Sequence, residues 1–246
     1  MRVLVTGGAG YLGSEVCRLA LEAGHDVVAT QLRRPPPYGT PLPLDIREPF
    51  DLDADVVVHT AYVQSDPDTI VRGTHNVADA ARRAGARLVH LSTDLVFDGE
   101  HAPYTEDDEP RPVSDYGRAK LEAERLLPPG ALAVRTSLLY GKPGGAQEAL
   151  AARGRTFYVD EIRCPTRVDE LAAALLELAG LDVTGVLHVA APDAVSRFEL
   201  AVLLGARDPV GASTPPGRAR NVALDSSRSA ALLGLPLTGV AALLHS

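Results

Sequence analysis

The 246 residues include only two lysines, Lys120 and Lys142, and the first stands four residues after Tyr116. On a helix an i, i+4 pair shares one face. A free phenol titrates near about 10, too high for easy proton exchange at neutral pH. A lysine ammonium beside it favours the phenolate, which makes Tyr116 a usable proton donor or acceptor. The blander use of such a pair is a surface Tyr–Lys contact. A third polar group lies in Leu91-Ser92-Thr93-Asp94-Leu95-Val96-Phe97-Asp98-Gly99. The Thr93 hydroxyl suits a carbonyl oxygen that is becoming an alkoxide. Alternatively, Ser92 and Thr93 cap the loop and Asp94 caps a turn.

A glycine loop precedes these groups. Thr6-Gly7-Gly8-Ala9-Gly10-Tyr11-Leu12-Gly13 satisfies G-x-x-G-x-x-G through Gly7, Gly10 and Gly13, and G-x-G-x-x-G through Gly8, Gly10 and Gly13. Glycines in this pattern permit a tight turn, a close approach of pyrophosphate to backbone, and a helix lying near its strand. The helix N-terminus adds N–H donors and partial positive charge. An NAD-selective site would place a carboxylate about 20 residues on. Here the chain reads Thr30-Gln31-Leu32-Arg33-Arg34. Arg33 and Arg34 match a 2′-phosphate in bidentate fashion, or else they are two solvated loop arginines. NADP is therefore the expected dinucleotide, with NAD as the other choice.

The elements that hold these residues alternate. Val3-Leu4-Val5, Val27-Val28-Ala29, Val56-Val57-Val58, Leu88 to Leu91 and Leu132 to Val134 read as strands, with a proline-bearing edge strand at Leu42 to Leu44. Helical spacing covers Leu12 to Ala23, Asp68 to Ala84 and Ser114 to Leu127. Such alternation means βαβ units, an α/β fold with a doubly wound parallel sheet of Rossmann type, and helices on both faces. Beyond Gly141 the pattern loosens to helices at Val168 to Ala179 and Ser196 to Leu204, a strand at Val186 to Val189, and short helices at Ser226 to Leu233 and Val240 to Leu244. The expectation is one dinucleotide-binding domain over 1–246. A small substrate-binding subdomain is interleaved at about 141–165 and 190–246.

Composition excludes several classes. With 46% hydrophobic and 23% charged residues, the chain has the makeup of a globular protein rather than a disordered, collagen-like or disulfide-stapled one. No apolar run approaches the roughly 18 residues of a membrane span. A net charge of -8 gives no general attraction for nucleic acid. Cys17 and Cys164 are far apart and read as reduced buried thiols, and the chain enters structure at Met1, so the expected location is cytoplasmic. Seven histidines show no ligand spacing; His59, His90 and His188 fall in predicted strands as core or edge residues, and no metal site is expected.

The glycine loop, Asp45-Ile46 after the short third strand, Leu91 to Gly99, Tyr116-x-x-x-Lys120 and Arg135-Thr136-Ser137-Leu138-Leu139-Tyr140-Gly141 together resemble the extended short-chain dehydrogenase/reductases, in the NAD-dependent epimerase/dehydratase superfamily. Ser92 to Gly99 is similar to the form of the dTDP-4-dehydrorhamnose reductase branch, as are Pro165 to Ala172 and His188 to Arg197. The resemblance implies Thr93, Tyr116 and Lys120 as the catalytic set. It also implies cofactor contacts from Gly7, Gly10, Tyr11, Leu12, Gly13, Thr60, Ala61, Tyr62, Ser92, Tyr116 and Lys120, with Asp45 and Ile46 at the adenine. Thr93, Asp94 and Leu138 would face substrate, Leu138 standing where the branch usually has Trp. The implied activity is NAD(P)H-dependent reduction of a keto group, on a 4-keto nucleotide sugar. Two alternatives follow from the same resemblance. One is an epimerase that keeps its NAD; the other is a non-catalytic NADP-binding regulatory subunit, like that of methionine adenosyltransferase. A homodimer is compatible with this branch.

Overall fold

The computed structural model describes residues 1–245, with side chains to Ala242. Strands β1 (Arg2–Thr6), β2 (Asp26–Gln31), β3 (Thr40–Pro43), β4 (Val56–His59) and β5 (Arg87–Thr93) alternate with helices α1 (Tyr11–Glu22) and α2 (Pro67–Ala84). Next come α3 (Asp115–Arg125), β6 (Leu132–Thr136), β7 (Leu139–Tyr140), α4 (Ala146–Arg153), β8 (Thr156–Tyr158), β9 (Ile162–Arg163) and β10 (Thr166–Arg167). The chain continues through α5 (Val168–Ala179), β11 (Gly185–His188), β12 (Val195–Ser196), α6 (Arg197–Leu203), β13 (Val210–Ala212) and the single turn α7 (Ser227–Ala230). It ends with a 3-10 helix over Val240–His245.

Seven strands form one parallel sheet in the order β11-β6-β5-β4-β1-β2-β3. Val3, Leu4, Val5, Val56, Val57 and Val58 are nearly solvent-free, as strands covered on both faces must be. Leu4 pairs with Val28 on one side and Val57 on the other. Those three pack with Ile46, Val77, Ala78, Ala81 and Leu88 in one cluster. Pro41 and Pro43 are tolerated because β3 is the sheet edge. Helix α2 begins where its sequence says it should: Asp66 accepts from the N–H of Asp68 and Thr69, Pro67 occupies the first turn, and left-handed Gly85 closes it. Because β1 lies between β2 and β4, the winding reverses there. The ends of β1 and β4 therefore sit side by side, the place where open α/β sheets bind ligands.

The chain forms two compact units. The first comprises Met1–Ser92, Arg118–Val134 and Ala172–Val186; the second comprises Thr93–Gly117, Arg135–Leu171 and the chain from Leu187. Segments 141–165 and 190–246 fall within the second, which also takes in Thr93–Gly117. Three small ladders build this unit: β7 with β10, β8 with β13 and β9 with β12. Tyr140, Leu200 and Val240 form a buried cluster against which Leu138 packs. The helix expected over Ser226 to Leu233 is α-helical only to Ala230, since Gly234 and Pro236 follow at once. The expected helix at Val240 to Leu244 is the tighter 3-10 form.

Candidate active site

The glycine loop occupies the switch point of the first unit. Gly7 has φ +71°, a left-handed turn that favours glycine. A Cβ on Gly13 would strike the Gly7 carbonyl and lie 2.8 Å from Thr60 Oγ1, so α1 lies close on the loop only because Gly13 has no side chain. At Gly10 a Cβ would meet just the Gly7 carbonyl oxygen, at 3.0 Å. Helix α1 starts at that residue with no side-chain cap and no acid in its first turn. Nothing on its own first turn therefore competes with an anion at the helix N-terminus. The loop is tied to both neighbouring strands. Gly7 N donates to Thr30 Oγ1 and Gly8 N to Thr30 O, while Thr60 N and Ala61 N both donate to Thr6 Oγ1. This cradle fits the pyrophosphate of a dinucleotide, and Thr60 and Ala61 are tied to its base through Thr6.

Other expected cofactor residues have definite places. Leu12 is buried, Tyr11 half-buried and Tyr62 exposed. Arg33 and Arg34 are exposed on the bend after β2. The Asp45 carboxylate is held by Arg47, with Nη2 to Oδ2 at 2.6 Å and Nε to Oδ1 at 3.0 Å, and this guanidinium keeps its carboxyl down at about 2. The Ile46 side chain belongs to the core, and Asn76 Nδ2 donates to its carbonyl. The Ser92 hydroxyl donates to Glu124.

Lys120 is 3% exposed. Its Nζ donates to Leu91 O at 2.5 Å, faces His90 Nε2 at 3.3 Å and lies 5.4 Å from the Tyr62 ring. Burial pushes this ammonium down to about 8, with Glu124 pulling the other way. His90 lies 5.0 Å from His59, ring centre to ring centre. Thr6 Oγ1 already receives two backbone N–H groups, so its own proton goes to His59 Nδ1 at 2.7 Å. His59 Nε2 then carries the ring proton and donates to Thr74 Oγ1. Burial, with Lys120 nearby, holds His59 neutral at about 3. Helix α3 carries Tyr116 one turn before Lys120, on the same face. Ser114 Oγ accepts from Gly117 N at its start.

In the second unit Thr93 both caps a turn and touches an acid. Its Oγ1 accepts from Leu95 N at 3.2 Å and donates to Asp94 Oδ1 at 3.1 Å. Asp94 Oδ2 accepts from Ser137 Oγ at 2.5 Å and lies 3.7 Å from Arg163 Nε. Burial drives the Asp94 carboxyl up, against the pull of Arg163, Ser137 and Thr93. Arg163 pairs in turn with buried Glu161, which is held from the other side by Arg218. A Cβ on Gly117 would strike the Leu95 carbonyl, so the first turn of α3, with half-buried Tyr116, packs directly on the turn that Thr93 caps. Ser137, Arg163, Glu161 and the His90 contact were not read from the sequence. Arg163 stands two residues before the Pro165-Thr166 segment already singled out, which was the available signal. Among the described residues no cluster of His, Cys, Asp or Glu suits a metal ion, and no helix is long and apolar enough to cross a membrane.

Known proteins are similar to this chain in sequence and fold. The dTDP-4-dehydrorhamnose reductase of Mycobacterium tuberculosis is 36% identical over 228 residues, spanning 80% of this chain and 72% of the relative. Methionine adenosyltransferase 2 subunit beta of Rattus norvegicus is 30% identical over 237 residues, spanning 81% and 70%. The solved structure of MoeE5 in complex with UDP-glucuronic acid and NAD matches with a TM-score of 0.82 at 26% identity, covering 98% of this chain and 97% of that one. Fold, glycine cradle and relatives agree on the class, an NAD(P)-dependent oxidoreductase of the extended short-chain dehydrogenase/reductase type. Within that class the chain belongs to the family described as the RmlD substrate binding domain, which matches residues 1–215.

Proposed function

We propose that this protein is an NADPH-dependent reductase that converts a keto group, at C4 of a nucleotide-linked sugar, to a secondary alcohol. The observation that carries the reading is Lys120, a buried ammonium held on Leu91 O, one helical turn after Tyr116. A protein that only binds a dinucleotide has no need to bury a charge there. The nucleotide-sugar substrate is supported by the name of the M. tuberculosis relative and by the UDP-sugar held by MoeE5.

The dinucleotide, when bound, supplies the hydride that reaches the carbonyl carbon. Tyr116 gives its phenolic proton to the carbonyl oxygen, and the Lys120 ammonium steadies the phenolate that remains. Thr93 turns its hydroxyl from Asp94 to the same oxygen. Asp94 stays satisfied throughout by Ser137 and Arg163. Arg33 and Arg34, exposed after β2, supply guanidinium groups for a 2′-phosphate and favour NADPH over NADH. The test is Tyr116→Phe, with NADPH binding measured separately from turnover. Loss of the general acid lowers kcat by about a hundredfold or more while the cofactor still binds. Unchanged turnover rules the mechanism out.

A further inference from the structure

Strand β5 is apolar at Leu88, Val89 and Leu91, and each is buried. Between them stands His90, equally buried, whose Nδ1 has no hydrogen-bond partner among the described residues. Leaving a buried ring nitrogen unpaired is destabilising, so packing alone gives no reason for a histidine there. The other nitrogen supplies the reason. His90 Nε2 lies 3.3 Å from Lys120 Nζ. An ammonium has three N–H donors and no acceptor, so for it to pair with Nε2 the ring must be neutral with its proton on Nδ1, the unpartnered side. Burial, with Lys120 and His59 close by, keeps the imidazole neutral. His59 cannot serve instead, because Thr6 and Thr74 occupy both its nitrogens.

We infer that His90 is a positioning residue for Lys120: its neutral Nε2 and the Leu91 carbonyl take two of the three ammonium N–H bonds and leave the third for ligand. The inference rests on the proposed reduction and names a part of its machinery outside the Thr93, Tyr116 and Lys120 set. The other groups facing Lys120 are Glu124 from α3 (itself bonded to Ser92), His59 from β4 and the ring of Tyr62. Tyr116 stands one turn earlier on α3.

With only two lysines in the chain, side-chain nitrogen labelling of lysine gives two signals, and Lys142 is the internal control. His90→Leu removes the acceptor and lowers the Lys120 midpoint by about one pH unit. The alkaline limb of the kcat/KM profile moves down with it. His90→Gln, whose amide oxygen still accepts, restores both. Ring-nitrogen spectra of the unmodified protein, assigned with His90→Gln, show the Nδ1–H tautomer at His90 and keep the test available should His90→Leu fail to fold. An unmoved Lys120 midpoint in His90→Leu, or an Nε2–H tautomer in the unmodified protein, overturns the inference. Neither result touches the reduction itself, which stands or falls with Tyr116→Phe.

Discussion

Lys120 holds a charge where the fold would prefer none. Its ordinary value is 10.5 and burial brings it to about 8, so the native state binds that proton less tightly than the unfolded chain does. Below pH 8 the buried ammonium therefore destabilises the fold by about 3 kcal/mol, and the penalty fades as pH rises from 8 to 10.5. Lys120→Met is expected to raise Tm at pH 7, to raise it less at pH 10, and to abolish turnover. Calorimetry at the two pH values checks this, and a lower Tm at pH 7 would contradict it. At this scale the sequence points to the candidates that have local signatures: Tyr116 and Lys120 by spacing, and Thr93 by its place after an apolar run. It does not point to His90 or Arg163, whose meaning depends on partners distant along the chain. His90 meets a lysine 30 positions on, and Arg163 meets an aspartate 69 positions back. Each of them reads locally as one polar residue among apolar neighbours.

Among the elements, the join between β1 and α1 bears the most constraint. Gly13 lies against the backbone of Gly7, and a carbonyl cannot move aside as a flexible side chain can. Gly13→Val is therefore expected to shift α1, to destabilise the protein by about 1–3 kcal/mol and to weaken NADPH binding. Thermal unfolding and a binding isotherm measure both. A variant with unchanged Tm and unchanged affinity would show that the close approach is not needed. The elements that bear the site were legible because each is long enough to show a period. The apolar runs of β1, β4 and β5 and the capped α2 are examples. The ladders β7–β10 and β9–β12 were not, because two residues define no period. Helix α4 was hidden behind Pro143-Gly144-Gly145, which reads as a loop and is followed by a helix burying only Ala151.

For the whole molecule, the parallel sheet and its switch point follow from the strand–helix alternation, and they offer a dinucleotide a place at the ends of β1 and β4. The second unit was less legible because its strands are short. The apolar residues that build it, such as Tyr140, Leu200 and Val240, come from three distant stretches of chain. Its chemistry distinguishes the remaining possibilities, since a reductase consumes its cofactor, an epimerase recycles it and a regulatory subunit leaves it untouched. The most direct measurement supplies a 4-keto nucleotide sugar with NADPH deuterated at the transferred position, following cofactor oxidation alongside the mass of the sugar. Net reduction predicts that NADPH is oxidised mole for mole with the alcohol formed, and that the deuterium ends on C4 of the sugar. A changed sugar with no net loss of NADPH, or no changed sugar at all, would contradict it.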